Sequence, residues 1–155
     1  MKIYLRVAAL IVLTSALFGC PEGKRPFMMV QICLKDQQNL TQFTNLLKSV
    51  AQSEGMTFID GNASTERDLK AMGVKLDPSA PVVHLGIERR DGIALIAANL
   101  GLPNYQVALG FAEGSNPAEA HKFADTVVKK VSEQWHVEVV PTGRGALPLK
   151  NCNQQ

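Results

Sequence analysis

The sequence predicts an α+β fold: a two-layer sandwich in which two long helices cover one face of a mostly antiparallel sheet. Three observations carry that reading. Residues 39–54 and 116–135 repeat apolar side chains at helical spacing, so each stretch has one face to bury. Between them, 82–89, 93–100 and 105–113 are strand-like runs separated by turn residues, which is the pattern of antiparallel hairpins. Further short apolar runs stand at 27–34, 56–59 and 137–140. Helices with a single apolar stripe and a sheet with one apolar face satisfy each other when they are stacked in layers.

The elements follow in order. Phe27 to Leu34 is apolar with β-branched members and reads as a strand. Over 39–54, Leu40, Phe43, Leu46, Leu47, Val50 and Ala51 mark one helical face. Asn39 is expected to cap this helix, with Gln42 three residues on, and Gly55 suits the left-handed position after its last turn. Met56 to Ile59 is a short strand. Ser64 is expected to cap a short helix over 65–72 that Gly73 stops, and 75–81 is a loop. Asp91-Gly92 supplies hairpin chemistry between the strands 82–89 and 93–100, because glycine accepts positive φ. Residues 101–104 form a second turn. In 105–113, Tyr105, Val107, Leu109 and Phe111 alternate onto one face, which predicts a half-buried antiparallel strand. Asn116, Pro117 and Glu119 provide cap, first position and capping box for the last helix. Its stripe runs from Ala120 through Phe123, Val127 and Val131 to Trp135, and Val137 to Val140 closes the chain's regular structure as a strand. The order β-α-β-(α)-β-β-β-α-β looks like a ferredoxin-like fold with an added hairpin strand, which implies one globular domain over 27–155.

The first residues describe an address. Lys2 and Arg6 make a short positive region, an unbroken apolar run follows from Val7 to Leu13, and residues 14–18 extend it with small and apolar residues. That run is too short to span a bilayer, which takes about 20 apolar residues, and it reads as a signal peptide over residues 1–19. Leu17-Phe18-Gly19-Cys20 resembles the lipobox of bacterial lipoproteins, with Phe18 bulkier than the residue usual there. The resemblance covers the leader alone. It implies cleavage before Cys20, a diacylglyceryl group on its thiol and acylation of the new amino terminus. Several acyl chains together make a stable anchor, where one is marginal. Residues 20–26 then form a lipidated tether. In enterobacterial lipoproteins an Asp after the cysteine resembles an inner-membrane retention signal. Pro21 stands there instead, which implies the outer membrane, facing the periplasm.

Cleavage changes what the composition says. The chain has 16 Lys and Arg against 14 Asp and Glu. Removing Lys2 and Arg6 with the leader brings the two signs into balance. No basic patch argues for nucleic acid, and no phosphate-cradling glycine loop is present. With Cys20 committed to lipid, Cys33 and Cys152 remain, and in an oxidising compartment two such cysteines pair. Their disulfide would tie the first strand to the C-terminal tail and close a loop of roughly 120 residues. Two cysteines without histidines at ligand spacing make no metal site, and no cofactor is called for.

Catalysis would need converging acid, base or nucleophile groups. His84 lies between Val83 and Leu85 in an apolar strand, where a hydrogen-bonded sheet histidine is a simpler reading than a general base. His121 flanks the last helix's stripe, and His136 sits at a helix end. Ser49, Ser53 and Ser64 lack a glycine elbow. Asp60-Gly61-Asn62 begins like a calcium loop without its later ligands, so a turn is expected. No catalytic residue is assigned. Two turns are the candidates for binding a partner: Arg89, Arg90 and Asp91 at the most charged tip, and Asn104 with Tyr105 beside Pro103. If the hairpins stack side by side, these turns lie at opposite ends of the sheet.

The function expected is therefore a membrane-anchored lipoprotein that binds a protein partner. In format, though not in motif, it resembles the immunity proteins that bacteria make against their own antibacterial effectors. The alternative is a structural or accessory lipoprotein of a cell-envelope or secretion complex. A small-molecule carrier would instead require a deep pocket between sheet and helices.

Overall fold

The chain runs β1 (Met28–Cys33), α1 (Gln37–Ser53), β2 (Thr57–Asp60), α2 (Asn62–Ala71), β3 (His84–Glu88), β4 (Ile93–Ala98), β5 (Gln106–Glu113), α3 (Pro117–Ser132) and β6 (Val137–Val140). The computed structural model describes residues 25–77, 80–100, 102, 105–143, 145–149 and 152. Residues 1–19, expected as a leader, residues 20–24 of the expected tether, Cys20 among them, and Asn104 lie outside the described residues.

One six-stranded sheet has the order β2-β3-β4-β5-β1-β6, and every neighbouring pair is antiparallel. The two hairpins β3-β4 and β4-β5 are local. β1 is inserted between β5 and β6, and the connection through α1 carries the chain from β1 to the far edge at β2.

Strand alternation divides the sheet into two faces. The inner face carries Val30, Ile32, Leu85, Ile87, Leu95, Leu109 and Phe111, all fully buried. Helix α1 lays Leu40, Phe43, Leu47, Val50 and Ala51 into the same core, and α3 adds Ala120, Phe123, Ala124, Val127 and Val131. Phe111 meets the ring of Phe123 edge-on at 6.3 Å, and Phe43 meets Trp135 edge-on at 5.9 Å. The space between sheet and helices is filled by these side chains, at the place where a carrier pocket would have to open.

The helix ends correct two expectations. Asp36, not Asn39, caps α1, and its Oδ1 accepts from both the backbone N and the Nδ2 of Asn39. A carboxylate with two donors holds the N-terminus better than an amide with one. That frees Asn39 Oδ1 to accept from Trp135 Nε1 at 2.8 Å, which ties the two ends of the core. Helix α2 starts at Asn62, three residues before the expected position, and Ser64 donates back to Gly61 O. Asn116 caps α3 with Pro117 following, as expected. The strand expected over 82–89 begins only at His84. Buried Asn99 holds the preceding segment instead, accepting from Val83 N and donating to Pro81 O.

Cys33 and Cys152 form a disulfide, with Cα atoms 5.5 Å apart. It fastens a C-terminal strap, of which residues 145–149 are described, over the outer face. Two buried glutamines complete the fastening: Gln31 Nε2 donates to Leu147 O, and Gln106 Oε1 accepts from Leu149 N. In an extended chain these two strap groups, two residues apart, point the same way. The glutamine amides thus serve as a neighbouring strand would.

Candidate functional site

The charged tip is held rigidly. Asp91 accepts from Arg89 Nε and Nη2, the latter at 2.7 Å, and its Oδ1 also accepts from Ile93 N. Glu119, at the start of α3, lies 3.9 Å from Arg89 Nη1. The two-pronged hydrogen bond from Arg89 holds the Asp91 carboxyl below the usual aspartate range. Arg90 is exposed and pairs with no acidic side chain among the described residues. The tip therefore presents one guanidinium from a locked turn.

The next turn stacks against it. Gly114 has φ +61, and a Cβ there would stand 2.5 Å from Asp91 O and from Ile93 N. Ser115 N donates to Asp91 O at 2.9 Å. Backbone cannot yield as a side chain can, so Gly114→Ala is expected to lower stability by more than about 1 kcal/mol, read by urea unfolding.

Both well-held aspartates have a pH signature. Asp36 is also held low, first by the Asn39 side-chain amide and then by the Asn39 backbone N. Folded values below unfolded ones mean that the stability gained is complete above the ordinary aspartate value of about 3.9. It is lost as pH falls through the depressed values. Between about pH 6 and about pH 2.5, wild type should lose more stability than Asp91→Asn loses.

The second candidate turn has a different character. Tyr105 takes a left-handed backbone at φ 61, its carbonyl accepts from Leu34 N at 2.7 Å, and its side chain packs against the core. It is half-buried rather than freely presented. The six residues of β4 lie between the Arg89–Gly92 tip and Tyr105, so the two do not converge.

His84 lies on the outer face. Its Nδ1 is 2.6 Å from Thr65 Oγ1, and its backbone N donates to Asn62 Oδ1. Gly61 N donates to His84 O, so the histidine docks the first turn of α2 on the sheet edge. Asp60 Oδ1 accepts from Asn62 N, which makes the Asp60-Gly61-Asn62 stretch a helix lead-in. His121 packs on Phe27 with the rings tilted, centroids 4.3 Å apart.

The strongest surface feature was not singled out from the sequence. One row crosses the outer face of the whole sheet: Ile59, Gly86, Ile96, Gly110, Met29 and Val140. Ala94 and Ala112 flank it on one side, Ala98 and Ala108 on the other. Over this floor lies a trough of about 270 Å³, closed at one side by Pro26 and Met29. Ile96 is 54% exposed and Ile59 41%. The signal was available in the sequence, since the outward positions of β4 and β5 read Ala-Ile-Ala and Ala-Gly-Ala where an open sheet face ordinarily carries polar residues.

The chain matches no protein-family model, and no curated protein is significantly similar to it.

Proposed function

We propose that the protein is a lipid-anchored lipoprotein of the bacterial envelope, on the outer membrane and facing the periplasm, that binds a protein partner. The partner class that best fits is an antibacterial effector, which makes the protein an immunity or inhibitor protein. The lipobox-like Leu17-Phe18-Gly19-Cys20 supports the address. The observation that carries the binding reading is the locked tip. Arg90 projects from a turn whose shape is fixed by the Arg89–Asp91 pair and by the turn at Gly114. A preorganised guanidinium loses little freedom on binding and matches a partner carboxylate in two-pronged fashion.

The test is capture from periplasmic extract on the purified, lipidated protein. Wild type should retain an envelope-acting toxin, and Arg90→Glu should weaken retention by about tenfold or more, the loss expected of a charge reversed in a contact. Recovery of no protein by wild type overturns the reading.

A second reading, an accessory part of an envelope or secretion complex, is favoured by the edge strand β6. Among the described residues it pairs only with β1, and Val139 is 70% exposed beside the edge. A deletion that impairs assembly when no effector is present would select this reading. The ferredoxin-like relationship belongs to the same proposal. It is supported by the order β6-β1-β5-β4, with β2, α2 and β3 as an addition beyond β4.

A further inference from the structure

Among the described residues the outer face of the sheet is apolar at its centre and charged at its rim. Its middle is the Ile59–Val140 row with four flanking alanines, while Glu88, Glu138 and Arg25 stand around it. The strap turns Leu147, 56% exposed, outward beside the same face.

The amino-terminal segment reaches the domain across this face. Pro26 covers Gly110, its Cβ 3.5 Å from where a glycine Cβ would stand, and Arg25 lies beside Ala112 to Ser115. Four residues lie between Cys20 and Arg25, so five residue-to-residue steps join them. Fully extended they span at most about 18 Å. A lipid on Cys20 therefore keeps this face close to the bilayer. Turning the helices to the membrane would put a further layer, about 10–12 Å thick, between the tether's exit and the lipid.

We infer that the outer face of the sheet lies on the bilayer that holds the lipid, with Ile59 and Ile96 at headgroup depth and the charged rim around them. The inference rests on the lipid-anchor reading. The trough and its rows cover only roughly 300 Å², taken from strand spacing and rise. That is well short of the roughly 800 Å² per partner typical of a stable protein interface. A tethered contact needs far less, because the anchor supplies a high effective concentration of membrane. In this orientation α1 and α3 face away from the membrane, and the Arg89–Gly92 tip projects from the side.

The lipidated full chain, reconstituted in phosphatidylcholine vesicles brominated near the headgroup, tests this by tryptophan quenching. Ile96→Trp and, independently, Ile59→Trp should lose about half their added emission or more relative to unbrominated vesicles, as indole settles at the interface. Ser49→Trp, on the helix side, should be unquenched, as should Trp135 in wild type. Quenching of Arg90→Trp in place of the sheet variants would show the domain standing on its tip and would overturn the inference. So would emission from all variants unchanged by bromine, or a stable dimer that shields Ile96→Trp. Flotation separates the two levels: wild type that fails to float with vesicles defeats the anchor reading itself, whereas flotation without quenching at Ile96 defeats only the orientation.

Discussion

Replacing Cys33 and Cys152 by serine, or reducing their disulfide, should lower the free energy of unfolding by about 4 to 5 kcal/mol. The bridge joins positions 119 residues apart, nearly the whole folded domain, so it removes much of the unfolded chain's freedom. For a domain of this size the loss corresponds to a fall in Tm of about 10–20 °C. Thermal unfolding with and without reductant measures it, and the double serine variant should be insensitive to reductant. Native contacts supply a smaller part. Beyond the disulfide, the strap is held by the hydrogen bonds to Gln31 and Gln106. Each is worth about 1 kcal/mol, net of desolvating its groups. Gln106→Ala in the oxidised protein should therefore cost about 1 kcal/mol, far less than opening the ring. A loss below about 1 kcal/mol on reduction would mean that the bridge only trims a frayed end, and the loop-closure argument would fail.

The sequence displayed whatever depends on local spacing. The stripes of α1 and α3 were legible because Phe43, Leu47, Phe123 and Val127 recur at helical intervals. The inner face of β5 was legible because Val107, Leu109 and Phe111 alternate. The α+β class and the largely antiparallel sheet followed. What was not legible depends on partners distant in sequence. Asn39 looks like a cap, yet Trp135, 96 residues away, takes its carbonyl oxygen, and Asp36 does the capping. Val82 and Val83 look like strand, but Asn99 claims the backbone there. The order β2-β3-β4-β5-β1-β6 joins β1 to strands late in the chain, and no local pattern specifies that. Gln31 and Gln106 carry no local signal, and they prove to be buried clasps for the strap. For the candidate site, the charge of the tip was visible. That Arg89 would be consumed by Asp91, leaving Arg90 to act alone, follows only from the folded turn.

Phe111→Ala should be among the most damaging single substitutions, costing about 3 to 5 kcal/mol. Phe111 lies near the end of β5, fully buried, in register with Met28 of β1 and Leu95 of β4. Its ring touches both layers: it meets Phe123 of α3 edge-on at 6.3 Å and Phe27 at 6.4 Å. Truncation removes most of a large buried side chain and leaves a cavity bounded by a hydrogen-bonded sheet that cannot collapse to fill it. Edge-to-face ring pairs add about 0.5–1.5 kcal/mol beyond the buried area. Phe111→Leu keeps much of the volume and should cost less than half as much. Phe123→Leu should soften the effect of the second change, because the ring pair can be lost only once. Urea unfolding of the two single variants and the double variant measures that coupling. A Phe111→Ala variant within about 1 kcal/mol of wild type would mean that the helices do not press on the sheet at this point. Strictly additive losses from Phe111→Leu and Phe123→Leu would show that the two rings contribute buried area alone.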